Sequence, residues 1–299
     1  MSAATRPQPT PVVTVVVPAF RRADRLTSCL EALAAQDVPR DHFDVVVVDD
    51  GSPQPLAPAA LPFTEQLHVT VHRQANAGPA AARNAGAALA RGALLAFTDD
   101  DCRPRPDWVR ELTAAHHGEP EALLGGDVVN ALDDPYAEAS QLLVTFLYDW
   151  YADEDRGRFF ASNDLAVPAA GFHALGGFDD SFPRPGGEDR ELCERWARDG
   201  RPLRRVPTAI VDHEHRMDLR GFWRQQTNYG RGAHDLHRRR QAVGGGGLRP
   251  EGPRFYWRMV TAPFRTGRPD AWKLATLLVL SQVANVYGFA SEIVRARRS

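Results

Sequence analysis

Apolar and polar positions along the first hundred residues follow two alternating periods. Val12 to Val17 is a β-branched run ending at Pro18, which predicts a buried parallel strand. Ala23 to Gln36 carries Leu26, Leu30 and Leu33 near helical spacing. Phe43 to Val48 is a second apolar run, closed by Asp49-Asp50-Gly51-Ser52. Leu67 to His72 alternates like a third strand, and Ala80 to Ala90 is an Ala-rich helix entered through Asn76-Ala77-Gly78-Pro79. Ala93 to Phe97 predicts a fourth strand, followed by Thr98-Asp99-Asp100-Asp101. Strands alternating with helices predict an open, mostly parallel α/β sheet. Such sheets bind ligands beyond the carboxyl ends of their strands, which is where both acidic clusters fall.

Beyond Pro104 the pattern loosens. Asp107 to His117 reads as a helix and Ala122 to Ala131 as a strand. Residues 137 to 151 are rich in aromatics. Phe159 to Val167 reads as a strand before a glycine-rich turn at Gly171, Gly176 and Gly177. Asp189 to Asp199 is a charged helix, and Leu203 to Val211 a strand leading to His213 and His215. No internal repeat is visible.

Composition changes this picture little until charge is followed along the chain. With 299 residues and 43% hydrophobic content, a large core is available. Residues 1–100 carry 8 Lys+Arg and 10 Asp+Glu. Residues 101–200 carry 9 and 21, and residues 201–299 carry 19 and 7. An acidic middle suits a cation site. A basic last third suits phosphates, on a donor, on a lipid or at a membrane surface; a solvated, arginine-rich surface gives the same counts. Cys29, Cys102 and Cys193 lie far apart, so neither a disulfide framework nor a zinc site is expected, and a cytoplasmic setting follows. The start of the chain lacks the pattern of a signal peptide. Leu274 to Ala290 is the longest apolar stretch, interrupted by Ser281, Gln282 and Asn285. It predicts a buried or membrane-surface helix rather than a spanning one.

Four groups carry candidate chemistry. Asp99 and Asp101 flank one residue after a buried strand, a spacing at which hard oxygen ligands share a Mg2+ or Mn2+ ion; isolated, the same triplet is a solvated turn. Asp50, beside Gly51, can accept from a base or a ribose, or serve an Asx turn. Glu188-Asp189, after Gly186-Gly187, can supply a general base, and equally offsets a helix dipole. His213, with His215 near it, can complete a metal site or be structural.

Together these residues resemble the family 2 glycosyltransferases. The resemblance runs through Val16 to Phe20, Val47 to Ser52, Asn76-Ala77-Gly78 with Ala82-Arg83-Asn84, and Phe97 to Asp101. It continues in Gly176 to Asp179, Gly187-Glu188-Asp189 and Val211-Asp212-His213. It implies a GT-A fold with a Rossmann-like central sheet, a divalent cation (Mn2+ or Mg2+), and inverting transfer from a nucleotide-sugar donor, UDP-linked by default. By resemblance, Pro18, Phe20, Asp50 and Arg83 line the nucleoside pocket, and Asp99 and Asp100 sit near the donor. Asp99, Asp101 and His213 hold the metal. Asp189 is the base, Glu188 places the acceptor, and Asn163 and Asp164 contact donor sugar or acceptor. Processive members carry Gln-x-x-Arg-Trp; here Gln225 to Tyr229 lacks the Arg-Trp, so a non-processive enzyme is expected.

The resulting expectation is a disordered 1–11, a transferase domain over 12–235 and a helical extension over 248–299. The domain divides into a nucleotide half, 12–104, and an acceptor half, 105–235. Residues 183–187 and part of 212–247 are expected to act as a lid. The acceptor would be a glycan, a lipid-linked molecule or a small molecule, with no nucleic-acid partner. The extension would touch the inner face of the membrane, pack on the core, or join a homodimer. The alternatives are a sugar nucleotidyltransferase and a non-catalytic nucleotide- or sugar-binding protein on the same scaffold.

Overall fold

The computed structural model describes residues 10–152, 159–182, 186–244, 246–247, 250–265 and 267–296. Its first half runs β1 (Val13–Ala19), α1 (Ala23–Ala34), β2 (Phe43–Asp49), α2 (Ala57–Ala60), β3 (Val69–Arg73), α3 (Pro79–Ala88), β4 (Leu94–Thr98), β5 (Cys102–Pro104), α4 (Trp108–Gly118) and β6 (Leu123–Asn130). The second runs α5 (Pro135–Tyr151), β7 (Asp164–Pro168), α6 (Ala169–Ala174), α7 (Glu188–Arg198), β8 (Leu203–His213), α8 (Leu219–Ala242), α9 (Pro253–Arg265) and α10 (Ala271–Ala296).

The strands form one sheet in the order β3-β2-β1-β4-β7-β6-β8-β5. β1 pairs in parallel with β2 and β4, as β2 does with β3 and β6 with β8. β7 runs antiparallel between β4 and β6, and β5 antiparallel to β8. The carboxyl ends of β1, β2, β4, β6 and β8 therefore share one edge.

β1 is buried along its whole length because helices cover both sheet faces. Val13, Val15 and Val17 join Leu26, Leu30, Leu33, Trp108 and Leu112 from α1 and α4 in one layer. Val16 joins Phe97, Phe172, Leu192 and Trp196 in the other. Each buried valine is worth ~1.5–3 kcal/mol, and a one-residue slip would exchange the faces, so the register is strongly held.

Several expectations change. The aromatic stretch is the helix α5, capped by Asp134, whose carboxylate accepts from Tyr136 N and Ala137 N. The strand expected over 159–167 begins only at Asp164. Much of the segment expected to be lid-like is already helical in α8, capped by Asp218. The expected domain end at 235 falls inside that helix. α9 and α10 pack on the body: Leu274 and Leu277 meet Ala139 and Phe222, and Leu278 meets Leu143, Phe255 and Met259. Residues 1–9 and 183–185 of the expected tail and lid lie outside the described residues.

Candidate active site

The shared strand edge opens into a cleft of about 570 Å3. β1 brings Pro18 and, just beyond it, Phe20; β2 leads to Asp50; β4 leads to Asp99 and Asp101. Arg83 enters from α3, Asn163 from before β7, Glu188 and Asp189 from the first turn of α7, and His213 from the end of β8.

The turn after β2 explains its glycine. Gly51 has φ of 77°, and a Cβ there would stand 2.7 Å from Asn76 N. This close approach lets Asp50 accept from Gln74 Nε2, Asn76 Nδ2, Ala77 N and Gly78 N at 2.8–3.1 Å. Asp50 thus ties the entry of α3 to the end of β2. Asp49 turns the other way and accepts from Ser52 N and Leu56 N.

Asp101 is the electrostatic centre. Arg22 and Arg25 donate to its Oδ2 at 2.7 and 2.9 Å. His213 Nε2 lies 3.4 Å from its other oxygen, Oδ1, while His215 Nδ1 lies 3.5 Å from Oδ2. Burial opposes ionisation of Asp101, but His213, His215 and Arg22 outweigh it and hold the carboxyl well below the usual range. Asp101, Cys102 and His213 bring potential ligand atoms within 4.8 Å of one another. Cys102 is fully buried, and burial pushes its thiol up, away from the thiolate a metal needs. Asp101 and His213 are the pair whose chemistry fits Mn2+ or Mg2+.

Asp99 does not join that group. Its carboxylate receives Arg83 at 2.7 Å, and the same guanidinium lies 3.5 Å from Glu188. Arg83, itself buried, therefore bridges the half-buried end of β4 to the buried start of α7. Glu188 Oε2 also accepts from Gly186 N at 2.7 Å. Burial first, and Asp189 beside it second, raise the Glu188 carboxyl above its ordinary range, against the pull of Arg83. Asp189 stays half-buried on the cleft wall.

Two expected donor contacts are corrected. Asp100 is wholly buried, faces away from the cleft and pairs with Arg22 at 2.5 Å. Burial, opposed by Arg22, pushes it up to about 7. Asp164 is also buried and accepts from Trp108 Nε1 at 2.8 Å, so it holds the core together instead of lining the cleft. Its neighbour Asn163 does line the cleft, with Oδ1 unpartnered among the described residues.

The sequence reading missed the far wall. Ser140 and Gln141 come from α5, and Gln225, Asn228 and Tyr229 from α8. Ser140 donates to Gln225 Oε1 at 2.8 Å, locking the two helices together at the cleft. The available signal was the polar run Gln225 to Asn228 at the position of the absent Gln-x-x-Arg-Trp.

Residues 14–175 match the sequence model of a family described as Glycosyl transferase family 2. The chain is 31% identical over 223 residues to validoxylamine A glucosyltransferase of Streptomyces hygroscopicus subsp. jinggangensis (strain 5008), covering 64% of this chain and 53% of that one. It is 29% identical over 238 residues to pre-mycofactocin glycosyltransferase of Mycobacterium tuberculosis (strain ATCC 25618 / H37Rv), covering 75% and 47%. The chain spans about half the length of these relatives. Its fold is similar to that of a mannosyltransferase, PcManGT, from Pyrobaculum calidifontis, solved with GDP-Man and Mn2+. The TM-score is 0.61 at 19% identity, over 95% of this chain and 90% of that one. S. aureus TarS 1–349 with UDP-GlcNAc gives a TM-score of 0.57 at 17% identity, over 96% and 91%.

Proposed function

Because the chain belongs to glycosyl transferase family 2, we propose that it is an inverting, non-processive enzyme that moves one sugar from a nucleoside-diphosphate donor to an acceptor hydroxyl. The fold is of the GT-A type and the activity is glycosyl transfer. The observation that carries the finer reading is that Asp101, His213 and Asp189, from three separate elements, face one cleft.

Asp101 and His213 would hold the divalent cation, which, when bound, neutralises charge on the diphosphate leaving group. The Mn2+ in the solved mannosyltransferase supports use of a divalent cation, and the chemistry of the Asp101–His213 donor set suits Mn2+ or Mg2+. Pro18, Phe20, Asp50 and Arg83 line the part of the cleft assigned to the nucleoside. Arg22 adds positive charge on the metal side. Asp189, on the opposite wall, accepts the proton of the attacking hydroxyl. Glu188, fixed by Arg83 and Gly186 N, positions that wall. Holding donor and acceptor in line supplies much of the acceleration. UDP is the default nucleotide, and the acceptor is a glycan, a lipid-linked molecule or a small molecule.

The test is release of nucleoside diphosphate from a panel of UDP-, GDP- and dTDP-sugars with Mn2+, using wild type and Asp189→Asn. The proposal expects one donor to be consumed and Asp189→Asn to lower kcat by ~10²–10⁴-fold. Equal rates in the two proteins would overturn the role of Asp189.

A further inference from the structure

α10 carries no charged residue from Leu274 to Ser291. It is long and apolar enough to cross a membrane, with a mean hydropathy of 1.4 over its most apolar window, and only 28% of that window is buried. An ordinary surface helix of a globular protein is apolar on its packed side and charged on the other. Here the packed side holds Leu274, Leu278, Ser281, Ala284 and Gly288. It is pressed onto α8 closely enough that a Cβ at Gly288 would stand 2.1 Å from Thr227 O. The outer side, where charge belongs, holds Trp272, Val279, Val283, Val286, Tyr287 and Val294, each 48% or more exposed.

These positions follow helical spacing and make one stripe of roughly 33 Å. Its start is extended by α9. Phe264 packs edge-on against Trp272, with ring centroids 4.8 Å apart, and Trp257 on the same helix is 71% exposed. Cations flank the stripe: Arg265 and Lys273 are exposed at one end, and at the other Arg295 is exposed and pairs with Glu292 at 3.3 Å. Residues 250–299 contain eight Lys+Arg against three Asp+Glu.

We propose that the exposed face of α9 and α10 docks on an anionic phospholipid bilayer, with α10 lying in the interface plane. Apolar side chains enter the acyl boundary, Trp257 and Trp272 sit at headgroup level, and the flanking cations meet lipid phosphates. α10 does not cross the bilayer, because its opposite side stays packed on α5, α8 and α9. Charge selects lipid over a second copy of this chain. Both ends of the stripe carry net positive charge, Arg265 and Lys273 at one and, in the sequence, Arg295, Arg297 and Arg298 against Glu292 at the other. Parallel and antiparallel pairing of two copies therefore each bring like charges together.

The experiment is flotation of the full chain with phosphatidylcholine vesicles, with and without phosphatidylglycerol, at low and high salt. Light scattering reports the oligomeric state. The proposal expects flotation with the anionic vesicles that weakens with salt. Val283→Asp with Val286→Asp should reduce the floated fraction by ~tenfold or more, and Trp272→Ala, at a position 78% exposed, should reduce it with the fold retained. Arg265→Ala with Lys273→Ala should remove most of the preference for phosphatidylglycerol. Absence of flotation with either vesicle, or flotation unchanged in the aspartate and Trp272 variants, overturns the proposal. So does a wild-type dimer that the aspartate pair converts to monomer, which would assign the face to a second copy.

Discussion

A Cβ built on Gly232 would stand 1.9 Å from the carbonyl oxygen of Gly186. The middle of α8 therefore lies directly beneath the loop that presents Glu188 and Asp189. The contact is backbone against backbone, so no flexible side chain can yield. Gly232→Ala gains helix propensity of about 1 kcal/mol, and overpacking at a rigid contact costs roughly 1–3 kcal/mol. The clash wins. The expected result is a lower Tm together with a fall in kcat, because the loop must lift away from the cleft. Thermal unfolding and turnover measured on the same preparation check this; unchanged turnover would show that the loop is not supported from below.

Arg83 serves Asp99 and Glu188 at once while almost wholly buried. Removing one partner from such a cluster leaves a desolvated charge behind. Arg83→Met should destabilise the fold by ~3–5 kcal/mol. Adding Glu188→Gln removes one stranded carboxylate and should return part of that loss. Urea unfolding of the two single variants and the double variant measures the coupling, and strictly additive losses would contradict the bridge.

Asp164 gives a pH signature. Burial raises its carboxyl well above the ordinary range, with the Trp108 hydrogen bond opposing and Asp127 assisting. In the unfolded chain it ionises near the usual value of about 3.9. A folded-state pKa raised above the unfolded one gives stability that is complete below about pH 4 and lost as pH rises toward the folded value. Asp164→Asn keeps an acceptor for Trp108 and cannot ionise. Its stability relative to wild type should therefore rise by ~1.4 kcal/mol per pH unit across that window. Unfolding series at several pH values check it, and a pH-independent difference would show that Asp164 is ionised in the folded chain.

What the sequence made legible follows from burial. β1, β2 and β4 are covered on both faces, so their residues form almost continuous apolar runs, interrupted inside by the buried pair Thr14 and Asp44, in which the hydroxyl donates to the carboxylate. α5 hid its period because Tyr148 faces the sheet side while Leu143 faces the C-terminal helices. β5 is three residues long and reads as part of a turn. At the site, acidic residues at strand ends were visible, but not their directions. Asp99, Asp100 and Asp101 form the turn between β4 and β5, closed by Cys102 N donating to Asp99 O at 3.1 Å. The turn sends Asp99 and Asp101 to the cleft while Asp100 goes into the protein. Ser140, Gln225, Asn228 and Tyr229 reach the cleft through the packing of α5 and α8, which no local spacing encodes.

Metal-dependent nucleotide binding is expected to rest on Asp101 and His213. Isothermal titration of UDP, GDP, dTDP and CDP, each with and without Mn2+, on wild type, Asp101→Ala and His213→Ala tests it most directly. The expected result is tight binding of one nucleotide that requires Mn2+ and weakens by at least ~tenfold in both variants. No binding to any nucleotide, or binding indifferent to Mn2+ and to Asp101, would contradict it.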